Sequence, residues 1–301
     1  MYRVIPIALL AALGCSSKEK APPPPPPEHG LVIVDPGLAP RSQLRYQLAK
    51  GVKTAMEVSA EIEMGSGTDK IIWPALSMGS EVVAEDVLPG GTMKVRYSMR
   101  SATAVDRPNQ QITADQMNPP LQDLVGMSIT GTLTPAGALG AMVVDTGGKQ
   151  LPPALAGQVS VLTRALDRMV MPLPPEPVGI GALWKFKQPL DQTGIKLLAT
   201  TTIRATALTP TSVTIVLTSE LTGPDQETSA AGPKVKLSAI KGTMRGTGTI
   251  DLARLVLTGE LVADLHMNMT ADGETESASM TTTLRMKQAT EPAPQGAQNA
   301  P

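Results

Sequence analysis

Three groups of residues carry side chains suited to chemistry. His266-Met267-Asn268-Met269 sets an imidazole beside two thioethers, the donors that a soft copper(I) ion prefers. Asp145 follows two valines and precedes Thr146-Gly147, and a carboxylate so placed can share a proton with a second one and activate water. Glu57, Glu61 and Glu63 lie close enough in sequence to pair two carboxylates for acid–base work. The elements beneath them argue against each use. On a strand, successive side chains point to opposite faces, so Met267 and Met269 continue an apolar stripe while His266 points away. Glu57, Glu61 and Glu63 fall together on the polar face of an alternating segment, as a solvated row. His29 lies in a linker, which leaves His266 as the one histidine of the chain's body. Gly147-Gly148-Lys149 lacks the spacing and the Ser/Thr of a phosphate loop, and Gly246-Thr247-Gly248 is too short for a nucleotide fingerprint. We therefore expect a non-catalytic protein with no metal and no cofactor.

Val143-Val144-Asp145-Thr146-Gly147 resembles the catalytic loop of aspartic proteases. Gly148 departs from the small Ser or Ala usual at the next position, and the matching place in the second half of the chain holds Asp264-Leu265-His266. The resemblance therefore implies an active site only in a homodimer sharing two copies of Asp145, a remote alternative. A strand running into a Gly-Gly turn accounts for the same residues.

The N-terminus is more informative. Arg3 gives a basic start, Val4 to Leu13 an uncharged apolar run, and the run ends Ala12-Leu13-Gly14-Cys15. Ten residues rise roughly 15 Å as a helix, about half a bilayer core, which suits a secretory leader rather than a membrane span. Ala12-Leu13-Gly14-Cys15 resembles the lipobox of bacterial lipoproteins, with Ala12 where that family usually has Leu. The resemblance implies cleavage between Gly14 and Cys15, diacylglycerol on the Cys15 thiol, and a further acyl chain such as palmitate on the new N-terminus. Ala12-x-Gly14 would also suit the general signal peptidase, which would release a soluble chain. Cys15 is the only cysteine, and an unpaired thiol in an oxidising envelope is a liability that lipidation removes. Two or three acyl chains anchor stably where one does not. Ser16 after the cysteine fits the pattern for the outer membrane. The expected location is the cell envelope, lipid-anchored at the periplasmic face or the surface of the outer membrane.

Charge excludes some partners. The chain has 26 Lys and Arg against 27 Asp and Glu, and loss of Arg3 with the leader leaves 25 against 27. That balance offers no footprint for nucleic acid. Lipidated Cys15 leaves no disulfide, so the core must hold the fold.

We read residues 1–14 as a signal peptide and 15–40 as a lipidated cysteine followed by a tether. The six consecutive prolines Pro22 to Pro27 favour polyproline II and span roughly 19 Å. Residues 41–288 form the domain and 289–301, rich in Ala, Pro and Gln, a disordered tail. Within the domain the pattern has period two. Val52 to Met64 places Met56, Val58, Ile62 and Met64 on one face; Met93, Val95, Tyr97 and Met99 alternate with polar residues; Leu255 to Met269 does the same. This marks long strands with one buried and one wet face, hence a mainly β fold: a large curved antiparallel sheet or half-barrel. Leu155, Val159, Leu162, Leu166 and Met169 recur at three- and four-residue intervals, predicting one principal helix near 154–170, which the prolines from Pro172 end. Around it lie two similar halves, about 41–150 and 178–288. Thr130-Gly131-Thr132-Leu133 recurs as Thr247-Gly248-Thr249-Ile250, Val143-Val144-Asp145 as Val262-Ala263-Asp264, Gly91–Val105 as Thr209–Gly223, and Leu44–Leu48 as Trp184–Gln188.

Sixteen methionines stand against six aromatic residues. Methionine tolerates several packings, so an apolar face built from Met56, Met64, Met93, Met99, Met267 and Met269 is the expected seat of a lipid or other apolar ligand. The plan resembles that of envelope lipoprotein carriers and mycobacterial-type lipid-binding lipoproteins, and the body resembles Met-rich β-domain envelope lipoproteins, a class that implies no activity. The alternative is a structural or protein- or glycan-binding envelope module, its protein partner unknown.

Overall fold

The computed structural model describes residues 30–66, 69–148, 170–192, 195–228, 235–271 and 273–289. The leader, the Gly14–Cys15 junction, the polyproline tether, residues 154–169 of the expected helix and the tail beyond Ala289 lie outside the described residues.

The chain is mainly β, one open antiparallel sheet of 14 strands. In chain order the strands are β1 (Val32–Asp35), β2 (Lys53–Ser66), β3 (Asp69–Ile72), β4 (Ala75–Val87), β5 (Met93–Val105), β6 (Ser128–Leu133), β7 (Val143–Asp145), β8 (Leu183–Gln192), β9 (Ile195–Leu208), β10 (Ser212–Thr222), β11 (Gln226–Thr228), β12 (Val235–Asp251), β13 (Val256–Ala271) and β14 (Glu274–Gln288). They lie side by side as β1-β8-β9-β10-β12-β13-β14-β2-β4-β5-β6-β7, with β3 on β2 and β11 on β12. Two meanders are thus joined where β14 pairs with β2. The switch between them falls between β7 and β8, a stretch that contains the interval the sequence places between its two halves. The segments matched in sequence land on β5 and β10, β6 and β12, and β7 and β13, which follow one another in the same order in each meander.

The halves are nevertheless unequal. β6 and β7 have 6 and 3 residues where β12 and β13 have 17 and 16. Leu44–Leu48, matched in sequence to a strand, is not one. It alternates buried Leu44, Tyr46 and Leu48 with Arg45 and exposed Gln47, yet it lies inside the curve of the sheet. Its backbone is satisfied from opposite sides: Tyr46 N–H donates to the Pro135 carbonyl and Gln47 N–H to that of Leu252, each at 2.9 Å.

One helix was not foreseen. α1 (Ala114–Gln122) packs on β5 and opens with a capping box, in which the Thr113 side chain takes the Gln116 N–H and the Gln116 side chain takes that of Thr113.

Alternation builds the layers. On β13, Leu257, Leu265 and Met267 are buried while Glu260 and His266 are exposed. The concave row continues into β14 as Ala278, Met280, Thr282 and Met286, and into β2 as Met56 and Ala60. Curvature has two sources. Bulges interrupt β4–β5 at Gly79/Ser80 and Ala84/Asp86, β9–β10 at Thr214/Ile215, and β12–β13 at Ser238/Lys241. Glycines also face inward on β12, where Gly242, Gly246 and Gly248 oppose Leu265, Leu261 and Gly259. A Cβ on Gly246 would lie 2.3 Å from Leu261 Cδ2 and 2.4 Å from the Glu260 carbonyl. Only glycine allows this approach.

The bend brings distant strands onto one core. Leu133 of β6 and Trp184 of β8, near opposite ends of the strand order, belong to a single cluster. Two irregular segments fill the space between them: Leu44, Tyr46 and Leu48 from one, Val170, Met171 and Leu173 from the other. Trp184, Tyr46 and Leu44 are among its largest fully buried side chains, so the centre of this Met-rich protein rests on rigid shapes. The convex face carries charge. Arg285 pairs with Glu61 (2.6 Å) and Glu260 (2.8 Å), Arg107 with Glu61 (3.3 Å) and Glu63 (2.8 Å), and Lys287 with Glu57 (3.1 Å).

Candidate ligand cavity

The six methionines expected to share one face divide among four places. Met93 lies in the main core, where its Sδ accepts the Leu48 N–H at 3.3 Å. Met99 packs with Leu124 and Met127 beside α1. Met64, Met267 and Met269 meet Met280 and Leu265 in a separate cluster. Met56 alone lines the main cavity. The single methionine groove is therefore corrected. Period-two alternation fixes which face a residue takes, but not how far along a long strand it sits or what covers it there.

The cavity lies in the concave face. Met56 of β2, Val82 of β4, Val95 and Tyr97 of β5, and Ile129 and Gly131 of β6 form its sheet wall. Leu139 and Met142 from the β6–β7 connection, Val170, Leu255 at the end of the β12–β13 turn and Leu257 at the start of β13 close it from other sides. Its empty space, mouth included, is about 540 Å³. All eleven side chains are uncharged, and ten of them are apolar or glycine. Local structure explains each wall. The Asp251 carboxylate accepts the Ala253 and Arg254 N–H groups at 2.9 and 3.1 Å, tightening the β12–β13 turn. The turn ends at Leu255, which holds a left-handed φ of 54°, a strained conformation for leucine that sets its side chain over the cavity. Gly131 leaves β6 bare at the point where Met142 crosses, since a Cβ there would stand 3.1 Å from Met142 Cγ.

A smaller space of about 230 Å³ adjoins it, lined by Met171, Ile215, Leu217, Gly246, Gly248, Leu257, Leu261 and Met286. Leu257 borders both. The glycines that let the sheet bend are thus also those that leave room behind it.

Two buried polar atoms without partners lie near the larger cavity. Thr54 and Ser80 are buried on the concave face, and neither hydroxyl has a hydrogen bond; Thr282 Oγ1 and the Trp73 and Trp184 indole N–H groups share that state elsewhere. Burial pushes the Tyr97 phenol above its ordinary range, with a smaller opposing effect from the nearby Ser80 hydroxyl.

The other chemically suggestive residues lie apart. Asp145 ends β7 at an exposed turn where its carboxylate accepts the Gly147 N–H at 2.8 Å, the geometry of an Asx turn. Asp264, its counterpart, sits on β13 with Thr281 donating to it at 2.9 Å. His266 is exposed on the convex side, facing away from Met267 and Met269. Among the described residues no three His, Cys, Asp or Glu gather as a metal-binding group. Glu57, Glu61 and Glu63 belong to the convex ion pairs.

Tyr97, Val95, Ile129, Gly131, Leu139, Met142, Leu255 and Leu257 were not singled out as ligand residues. Their convergence depends on the register between strands and on two connections, which local periodicity does not carry.

No known protein family matches the chain, and no curated protein matches it in sequence. In fold it is similar to a solved structure described as lipid–protein interactions in lipovitellin, at 10% sequence identity and a TM-score of 0.45, covering 82% of this chain. The chain spans about a quarter of that protein's length, 26%.

Proposed function

We propose that this chain is a lipid-anchored protein of the bacterial cell envelope that binds an apolar ligand, without catalysis, in the cavity between β2–β4–β5–β6 and the β12–β13 turn. The observation that carries the reading is the cavity itself. It is lined by ten apolar or glycine residues and one tyrosine, with Gly131 leaving one wall bare and the left-handed backbone of Leu255 setting a leucine over it. Ligand sites are typically such mostly apolar concavities with few polar groups. The lipobox-like Ala12-Leu13-Gly14-Cys15 and the proline tether support the anchoring half, because they would hold the domain a short distance from a membrane, where apolar ligands are found.

Two measurements test the two halves separately. Protein purified without detergent should release lipid on organic extraction, detected by mass spectrometry; a clean extract from protein taken straight from its native membrane argues against the ligand. Intact-mass analysis of the membrane fraction should find a chain starting at acylated Cys15, and an unmodified, soluble Cys15 terminus argues against the anchor.

A further inference from the structure

Tyr97 is the one polar residue of the cavity wall, and two buried hydroxyls, Thr54 and Ser80, lie beside the wall on the same face of the sheet without lining it themselves. Thr54 opposes Val82 across β2–β4, and Val82 opposes Tyr97 across β4–β5; in the adjoining row Met56 opposes Ser80, and Ser80 opposes Met99. Directly opposed residues share a face, so Thr54 and Ser80 stand on the concave side among Met56, Val82 and Tyr97, which line the cavity. Thr54 is 3% exposed and Ser80 2%, yet neither hydroxyl oxygen meets a partner. Ser80 comes near the Tyr97 phenol without reaching hydrogen-bonding geometry. Buried hydroxyls are nearly always paired, because an unpaired one forfeits its bonds to water for nothing. Two such groups in neighbouring rows, beside a phenol at the edge of an apolar space, offer hydrogen-bonding capacity that no other group of the described chain uses.

We infer that Thr54, Ser80 and Tyr97 form the hydrogen-bonding end of the site and select an amphipathic ligand with an uncharged hydroxyl or ester head. The inference rests on the cavity being a ligand site. The chemistry excludes a charged head: none of the lining residues carries a countercharge, and a phosphate or carboxylate buried there would lose its hydration uncompensated. Three hydroxyls that both donate and accept suit an alcohol or acylglycerol, whose oxygens need both roles.

The test uses the full mature chain, the apolar dye N-phenyl-1-naphthylamine as probe, and decanol and decyl phosphate as competitors. Wild type should bind the dye and release it to decanol at lower concentration than to decyl phosphate. The double variant Thr54→Val/Ser80→Ala keeps the side-chain volumes nearly unchanged and removes both hydroxyls. It should bind the dye as wild type does, lose about tenfold in decanol affinity, and melt no lower than wild type, since it sheds two unpaired groups. Undiminished decanol binding by the variant, decyl phosphate binding as tight as decanol, or a variant that melts lower would each overturn the inference while leaving the cavity reading intact. Failure of the dye to bind wild type would instead remove the cavity reading on which it stands.

Discussion

The Tyr46 hydroxyl is bound twice to the backbone of Met171: it donates to the Met171 carbonyl at 3.1 Å and accepts the Met171 N–H at 3.2 Å. These residues lie 125 positions apart, on the two irregular segments that fill the curve of the sheet. One phenol thus ties together the pieces that form the floor of the core. Burial raises its pKa well above the ordinary tyrosine range, so it stays protonated and the tie holds at any ordinary pH. Tyr46→Phe strands both Met171 groups in the core, and denaturant unfolding should show a loss of about 1–3 kcal/mol. An unchanged midpoint would mean that the two segments are held by packing alone.

Gly246 tests the bend. A side chain there meets the Glu260 carbonyl at 2.4 Å, and backbone cannot swing aside as a flexible side chain can. Gly246→Val should cost about 3 kcal/mol or more, read by thermal or urea unfolding. If it is tolerated, β12 and β13 are less tightly apposed than the fold requires.

The two faces of β13 should respond oppositely. Met267→Asp puts a charge into a buried apolar cluster and should destabilise by several kcal/mol or prevent folding. His266→Ala, on the exposed side one residue away, should stay within about 0.5 kcal/mol. A reversed order, measured by the same unfolding assay, would restore a chemical role for His266.

The convex charges predict a pH dependence. Hydrogen bonds from Lys70 and Arg107 hold the Glu63 carboxyl below its ordinary 4.5. A carboxylate depressed in the folded state adds stability above its unfolded pKa, and that stability is lost as pH falls through the folded value. Unfolding free energy should therefore decline as pH drops below about 4.5, and Glu63→Gln should flatten the decline. The effect should be below about 1 kcal/mol, because such partly solvated pairs are screened. A Glu63→Gln variant with the same acid slope would remove Glu63 from the account.

Much of the sheet is legible in the sequence, because a one-sided antiparallel sheet writes its two environments into alternate residues. Leu257, Leu265, Met267 and their outward neighbours are an example. The same alternation misleads at Leu44–Leu48, since any extended segment with one buried side shows it, paired or not; whether a strand partner exists is decided elsewhere in the chain. α1 was hidden by Pro119 and Pro120 at its C-terminal end, although Thr113 and Gln116 carried its start signal. The cavity was least legible. Met56 was the one lining residue read as a ligand contact, because Val82, Ile129, Met142 and Leu257 come together only through register and curvature.

The central claim is that the space bordered by Gly131 and Met142 is a binding site. The most direct measurement is titration of wild type and Gly131→Val with N-phenyl-1-naphthylamine, with thermal unfolding as the control for folding. Gly131 has no constrained φ, and its nearest neighbour is the flexible Met142 side chain, so valine can be accommodated by filling the cavity. Wild type should bind the dye saturably at one site, and Gly131→Val should bind about tenfold more weakly while melting within a few degrees of wild type. Equal binding by the two proteins, or no saturable binding by wild type, would contradict the claim.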